Sequence, residues 1–168
     1  AAMNDHGSVV KQLLDRQKVN PDEPDNQGST PLLWAAIGGH EPVVKQLLER
    51  QDANPNKQDN ESKTPLSWAA TMGSVSVVKQ LLDSEDVNPA LPDKNDCRTP
   101  LFYAARNGHE QAVKALLRRG DIGPNTADKW GIMPLSYPAL NRCDRTSIPK
   151  RLIYSAGSHS FTPTAAGT

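Results

Sequence analysis

A seven-residue phrase recurs at a nearly fixed interval along the chain. It begins as Thr-Pro-Leu at Thr30, Thr64 and Thr99, continues through an aromatic residue to Ala-Ala, and has a degraded copy from Met133. The first residues of successive copies are separated by 34, 35 and 34 positions. A fixed period in this range is typical of stacked supersecondary units. The sequence therefore predicts a repeat architecture and not a globule around one deep core.

Each unit carries the signals of two short helices. Threonine can cap the first helical turn, and the proline after it takes the first helical position, where its missing N–H is no loss. In the clearest copy, Gly38-Gly39 ends the first helix and a second helix begins near Pro42. The second helix has one apolar stripe, made of Val43, Val44, Leu47 and Leu48.

A polar segment joins one helix pair to the next. Asp25 and Asp128 stand three residues before a glycine, a spacing typical of a side-chain-braced tight turn followed by a positive φ. The turn after Asp59 lacks this glycine, and the turn after Asp93 has one extra residue, which accounts for the step of 35. We predict short projecting hairpins, because a surface loop can absorb such an insertion.

The order of turn, Thr-Pro-Leu, first helix, Gly-His and second helix resembles the ankyrin repeat family. Gly-His occurs at Gly39-His40 and Gly108-His109, and Val-Val-Lys-Gln-Leu-Leu occurs at 9–14, 43–48 and 77–82. The resemblance implies an all-α fold, an ankyrin-repeat α-solenoid with short β-hairpin loops. The Asn-Pro and Trp-Ala-Ala motifs are also similar to those in the ankyrin arrays of large multidomain fungal signalling proteins.

The resemblance also implies the domain organisation. The repeat domain is expected over residues 1–157 and a C-terminal tail or linker over 158–168. Its units are expected at about residues 1–22, 23–56, 57–90, 91–125 and 126–157, of which the first and last are incomplete. The first unit begins after its Thr-Pro-Leu, so we expect the chain to be part of a longer protein.

The chain departs from the family at one position of the phrase. The family usually has a histidine after Thr-Pro-Leu, which bonds to the backbone between repeats. This chain has Leu33, Ser67, Phe102 and Ser136 there. We therefore expect that hydrogen bond to be absent or replaced.

Charge and composition exclude several classes of function. The chain has 19 basic and 19 acidic residues, and this formal charge of zero predicts no attraction to nucleic acid or anionic lipid. No apolar run approaches membrane-spanning length, and the first residues do not resemble a signal peptide. We expect a cytoplasmic or nuclear protein that does not bind membranes. Cys97 and Cys143 cannot supply a disulfide framework or a four-ligand zinc site, so no metal or cofactor is expected.

Catalytic motifs are absent from the sequence. His6, His40 and His109 fall at the same repeat position, which favours a structural role in the helix–helix loop. No glycine-rich phosphate loop, His-Glu-x-x-His helix or Gly-x-Ser-x-Gly elbow occurs. An enzyme would need a site near the C-terminal repeat, around Cys143 and His159, and the distance between them would test this alternative. We expect no catalytic activity.

The residues that differ between units indicate a binding surface. On each first helix an aromatic residue shares a face with the residues three and four positions later, which change from unit to unit. In a solenoid the first helices and their hairpins line a concave groove. We predict that this groove binds a protein or peptide through an aromatic ladder and its neighbours, namely Trp34, Ile37, Trp68, Thr71, Met72, Tyr103, Arg106 and Asn107. The hairpin tips would form a polar rim of Asn26, Gln27, Asn60, Glu61, Asn95, Asp96, Lys129 and Trp130.

Two alternatives stay open from sequence. The aromatic rings could fill the gap between repeats that the alanines leave, with only an edge exposed. The domain could also be a structural spacer or an autoinhibitory arm that contacts only its parent chain. As a fragment, the chain is expected to be a monomer.

Overall fold

A computed structural model describes residues 1–16 and 19–136 of the chain. Within these residues it has seven α-helices, one 3-10 helix and no strand. The elements are a 3-10 helix at Ala2–Asn4, α1 at Gly7–Leu14, α2 at Pro31–Gly38, α3 at Glu41–Leu48, α4 at Pro65–Met72, α5 at Val75–Asp83, α6 at Pro100–Arg106 and α7 at Glu110–Leu117. The prediction of an all-α repeat solenoid is confirmed.

Helices of the same kind stack on one another. The first helices pack α2 on α4 and α4 on α6, and the second helices pack α1 on α3, α3 on α5 and α5 on α7. The 3-10 helix packs on α2 and takes the place of a preceding first helix. Among the helices of the described ranges, none has the length and apolar character needed to cross a membrane.

Threonine and proline start every first helix, as the sequence predicts. The side-chain oxygens of Thr30, Thr64 and Thr99 accept hydrogen bonds from the backbone N–H three residues later, at 3.3, 3.1 and 3.4 Å. Glycines in the left-handed region end α2 and α4, with φ of 70° at Gly39 and 72° at Gly73. Glycine suits this cap because it has no Cβ to strain the conformation.

Small and branched apolar side chains form a continuous core between the units. The leucines of the three Thr-Pro-Leu phrases, Leu32, Leu66 and Leu101, are at most 2% exposed. Ala35 and Ala69 are fully buried, and their small size lets adjacent first helices approach closely. The stripe of the second helices closes the other side of the core, with Val43, Val44, Val77, Val78, Leu81 and Leu116 at 0% exposure. Burial of each such side chain contributes about 1.5–3 kcal/mol, so stacking is the main source of stability.

The hairpins between units are tight turns. In the first, the N–H of Gly28 donates to the carbonyl of Asp25 at 2.9 Å, and the N–H of Asp25 donates to the carbonyl of Ser29 at 3.1 Å. Four hairpins place one residue at a positive φ, namely Gly28 at 76°, Ser62 at 62°, Cys97 at 57° and Gly131 at 77°. Ser62 and Cys97 thus adopt the glycine-like conformation without glycine. The predicted hairpin loops consist of turns alone, since the described part of the chain contains no strand.

The Asn-Pro segments form a ladder of hydrogen bonds from unit to unit. The N–H of Asn54 donates to Asp22 Oδ2 at 2.8 Å, and the N–H of Asn88 donates to Asn56 Oδ1 at 2.7 Å. In both cases the acceptor is the residue after the proline of the preceding unit. Ala90 holds that position in the next unit, and its methyl group cannot accept a hydrogen bond.

Bonds at the ends of the second helices also join units. The ring Nε2 of His40 lies 2.9 Å from the carbonyl oxygen of Met3, and that of His109 lies 2.9 Å from the carbonyl oxygen of Thr71. At the other helix end, Arg50 donates to the carbonyl of Leu14 and Arg119 to that of Leu82. These contacts bind α3 and α7 to the backbone of the preceding unit.

The middle unit, which contains α4 and α5, lacks both kinds of helix-end bond. Ser74 takes the place of the histidine, and Ser84 takes the place of the arginine. Ser67, which stands where the family has its other histidine, lies 3.1 Å from the hydroxyl of Thr64 in its own unit.

Candidate functional site

We define the inner face as the first helices α2, α4 and α6 together with the hairpins at residues 25–29, 59–63, 93–98 and 128–132. The residues predicted for the binding groove belong to this face, except Asn107, which directly follows α6.

One aspartate in each of three hairpins holds the aromatic side chain of the same unit. The polar edge of the ring donates to the carboxylate in the pairs Trp34–Asp25 at 2.8 Å, Trp68–Asp59 at 2.7 Å and Tyr103–Asp93 at 2.9 Å. The same carboxylate also braces its own turn. In the first hairpin, Asp25 Oδ1 accepts from the N–H groups of Gln27 and Ser29 at 2.8 and 2.9 Å. Each aspartate therefore fixes a hairpin against a first helix.

These hydrogen bonds shift the titration of their partners. The indole N–H of Trp34, followed by the backbone N–H of Ser29, holds the pKa of Asp25 below its usual range. Burial, followed by the hydrogen bond to Asp93 and the charge of that carboxylate, raises the pKa of Tyr103. Asp25 is therefore an anion and Tyr103 a neutral donor at neutral pH.

The predicted aromatic ladder lies only partly at the surface. Tyr103 is 6% exposed, and Trp34 and Trp68 are half-buried. The packed alternative therefore describes Tyr103, and an exposed ladder of three rings is not what the structure contains. In each of the three units, the bond to the hairpin aspartate holds the ring against the turn.

Lys63 lies between two of the aromatic rings. Its Nζ is 4.2 Å from the ring centroid of Trp68 and 5.3 Å from that of Tyr103. It also contacts Glu61 Oε2 at 2.8 Å, and its side chain is 16% exposed. A cation over an aromatic face is stabilising by about 0.5–2 kcal/mol, depending on desolvation. Lys63 is not among the residues predicted for the site, although a charge directly before Thr-Pro-Leu is visible in the sequence.

Arg98 occupies the corresponding position in the next hairpin. It is 9% exposed, and its guanidinium donates to Asp96 at 2.6 Å and to Asp128 at 3.4 Å. The guanidinium carbon lies 5.0 Å from the ring centroid of Phe102 and 5.1 Å from that of Trp130. This buried cation therefore links the third hairpin to the fourth.

Lys129 completes the contact between these two hairpins. Its Nζ lies 2.8 Å from Asp96 Oδ1 and 4.4 Å from the ring centroid of Trp130. Burial alone would raise the pKa of Asp96, but the hydrogen bond from Lys129 and the charge of Arg98 hold it below its usual range.

The hairpin tips are joined in a bonded row. The N–H of Asn60 donates to the carbonyl of Gln27 at 3.0 Å, and the N–H of Lys129 donates to that of Asp96 at 2.9 Å. Side chains add three more bonds to tip carbonyls of the preceding hairpin, from Asn60 to Asn26 at 3.2 Å, from Asn95 to Glu61 at 3.2 Å and from Lys129 to Asn95 at 2.7 Å. The predicted polar rim thus uses part of its hydrogen-bonding capacity to stack the hairpins.

Several exposed residues of the inner face stand at positions that differ between units. Met72 is 46% exposed and Trp130 42% exposed, and Arg106 and Asn107 are exposed as well. Ile37 and Thr71 are half-buried.

Thr71 and Asn107 also take part in packing between units. The carbonyl of Thr71 accepts from Asn107 Nδ2 at 2.9 Å, and the hydroxyl of Thr71 donates to the carbonyl of Ser67 at 2.7 Å. The exposed apolar surface of the described inner face comes instead from Met72 and Trp130.

Two apolar grooves lie at the ends of the described stack. The N-terminal groove, of about 450 Å³, runs beside Trp34 and is lined among others by Met3, Leu13, Val19 and Pro31. The C-terminal groove, of about 360 Å³, lies against α6 and α7 and is lined among others by Leu101, Val113, Leu117 and Leu135.

The described residues form no group of three or more histidine, cysteine, aspartate or glutamate side chains that could hold a metal ion. The alternative site around Cys143 and His159 lies outside the described residues, as do the tail at 158–168 and the final helix expected after Pro149.

The comparisons with known proteins agree with this geometry. A family model described as ankyrin repeats in three copies matches residues 1–93, and a single ankyrin repeat model matches residues 96–129. Comparison with curated proteins gave no match.

Proposed function

Because the chain belongs to the ankyrin repeat family, whose members generally mediate protein–protein interactions, we propose that it binds a protein or peptide through its inner face. The role is that of a non-catalytic recognition module. The hairpin aspartates support a non-catalytic role, since Asp25, Asp59 and Asp93 are each engaged in bonds that hold a turn and an aromatic ring.

The observation that carries the proposal is a contrast between buried and exposed positions of the first helices. The buried frame repeats, with leucine at Leu32, Leu66 and Leu101. The exposed position four residues after each aromatic changes, with Gly38, Met72 and Asn107. Packing between units fixes the first set and leaves the second free to suit a partner. Tryptophan, methionine and arginine, which the inner face exposes, are enriched in protein interfaces.

The rigidity of the inner face favours binding without rearrangement. Bonds between tips, and between each hairpin and its helix, hold the surface before a partner arrives. Less conformational freedom is then lost on association, and the backbone moves little between the free and bound states.

The test is affinity capture with the wild type beside the double variant Met72→Glu with Trp130→Ser. The matched control is Val9→Glu, which alters a residue of similar exposure, 44%, on α1 and away from the inner face. Thermal unfolding confirms that each protein is folded. We expect the double variant to lose at least one partner that the wild type and the control retain. Identical capture by all three proteins would exclude the inner face as the binding surface.

A further inference from the structure

We propose that the partner segment bound by the inner face carries an acidic side chain, and that this side chain lies beside α6 at a basic patch formed by Lys94, Arg106 and Lys129. The inference rests on the proposed function and specifies the chemistry of the partner.

The exposed charges of the inner face change sign along the stack. In the first two hairpins with α2 and α4, the exposed charged residues are Asp25 and Glu61. In the last two hairpins with α6, they are Lys94, Arg106 and Lys129. The described inner face therefore presents acidic groups on one half and basic groups on the other.

Two of the three acidic residues in the basic half are buried. Asp93 and Asp128 are 2% and 5% exposed. Asp93 accepts the hydroxyl proton of Tyr103 at 2.9 Å, and Asp128 accepts the N–H of Trp130 at 3.0 Å. A partner at the surface therefore meets the exposed cations and not these carboxylates.

The third carboxylate, that of Asp96, is shared among several cations. It lies 2.8 Å from Lys129 Nζ and 2.6 Å from the guanidinium of Arg98. Burial would raise its pKa, but the bond from Lys129 and the charges of Arg98 and Arg106 hold it low. Lys94, two residues earlier, forms no ion pair within the described ranges. The patch therefore keeps a positive excess, which a carboxylate of the partner would match.

The composition of the chain after residue 136 adds no acidic excess. Residues 137–168 contain one acidic residue, Asp144, beside the basic residues Arg142, Arg145, Lys150 and Arg151.

The basic patch adjoins exposed apolar surface, so that one short segment can reach both. Asn107 Nδ2 donates to the carbonyl of Thr71 at 2.9 Å and joins the ends of α4 and α6. Met72, 46% exposed, follows Thr71, and Arg106 precedes Asn107. A partner can therefore place an apolar residue on Met72 and an acidic residue next to it. Such charge complementarity contributes to specificity and to the orientation of the partner.

The test uses a displayed library of random short peptides, selected on the immobilised protein. The wild type is compared with the double variant Lys94→Gln with Arg106→Gln. The control is Lys45→Gln with Lys79→Gln, which removes the same charge from exposed lysines of α3 and α5. Thermal unfolding confirms that each protein is folded. A selected peptide is then compared with its own version in which glutamate is replaced by glutamine.

We expect the wild type and the control to enrich peptides that carry aspartate or glutamate beside an apolar residue, and the charge variant to lose this enrichment. Replacing the glutamate of a selected peptide by glutamine should weaken its binding to the wild type roughly three- to tenfold, the effect of two surface ion pairs. The difference should shrink when salt is raised from about 0.1 to about 1 M, because exposed charges are then screened.

Equal enrichment of acidic peptides by the wild type and the charge variant, or equal affinities of the wild type for the two forms of a selected peptide, would overturn the inference. The proposed function would stand if those peptides still required Met72 and Trp130. Peptides that bind the variant Met72→Glu with Trp130→Ser as tightly as the wild type would overturn the proposed function, and the inference with it.

Discussion

Trp68 and Asp59 are joined by a hydrogen bond of 2.7 Å that runs from a first helix to the hairpin nine residues earlier. The same carboxylate accepts the N–H groups of Glu61 and Lys63 within its own turn. One side chain thereby sets both the shape of the hairpin and its position against the helix.

Replacing Trp68 by phenylalanine tests this bond, because one aromatic ring is kept while the N–H donor is lost together with the second ring of the indole. We expect the free energy of unfolding to fall by about 1.5–3 kcal/mol, the range for a hydrogen bond to a charged group. Urea denaturation measures the change. Trp130→Phe is the control, since no described residue accepts a bond from its indole N–H, and it should cost less than about 0.5 kcal/mol. Equal losses in the two variants would contradict the role given to Asp59.

Tyr103 makes the free energy of unfolding depend on pH in the alkaline range. Burial and the Asp93 carboxylate raise its pKa in the folded state, so the unfolded chain releases the phenolic proton first. The stabilising contribution is therefore complete below the unfolded pKa of about 10 and declines as the pH rises above it. Tyr103→Phe should lose less stability between about pH 9 and pH 11 than the wild type does. Parallel stability curves for the two proteins over this range would refute the prediction.

Lys63 is expected to stabilise the contact between α4 and α6. Lys63→Met keeps the aliphatic stem and removes the charge over Trp68 and Tyr103, and should lower the free energy of unfolding by about 1 kcal/mol. Glu61→Gln, which removes only the ion pair, should change it by less than about 0.5 kcal/mol. Chemical denaturation decides the question, and a larger loss in Glu61→Gln would show that the ion pair is the dominant contact.

Two glycines separate the effect of backbone strain from that of hairpin stacking. Gly28 and Gly131 have nearly the same φ, 76° and 77°, but a Cβ on Gly28 would lie 2.6 Å from Asn60 Oδ1, whereas Gly131 has nothing within 4 Å. Both alanine variants incur the left-handed penalty of about 1–2 kcal/mol. Gly28→Ala should cost at least about 1 kcal/mol more, because it also pushes the tips apart. Equal melting temperatures for the two variants would show that the tips can separate freely.

The fold could be predicted from sequence largely because its signals are local or periodic. Thr64 and Pro65 predict a helix start from two adjacent residues, and the recurrence of Thr-Pro-Leu predicts the stacking of the units. Ser62 shows the strength of the turn signal, since the bracing carboxylate of Asp59 comes with a positive φ even without glycine. Boundaries and stacking follow from such features.

The details of the inner face could not be predicted in the same way. The burial of Tyr103 depends on a bond to Asp93, ten residues earlier across a hairpin, and no periodicity reports that distance. The place of Lys63 depends on two rings in different units. A position-by-position alignment of the units would have drawn attention to Ser29, Lys63 and Arg98, although not to the contacts that they make.

The serines of the middle unit make the stack mechanically uneven. Where α4 and α5 meet the preceding pair, the Asn88–Asn56 rung is present, but Ser74 and Ser84 replace the histidine and arginine that fasten α3 and α7 to their predecessors. The following joint has the opposite arrangement, with His109 and Arg119 present and Ala90 ending the ladder. A bending load on the solenoid would therefore concentrate at the joint of the middle unit, which can open at its helix ends while the asparagine rung serves as the pivot.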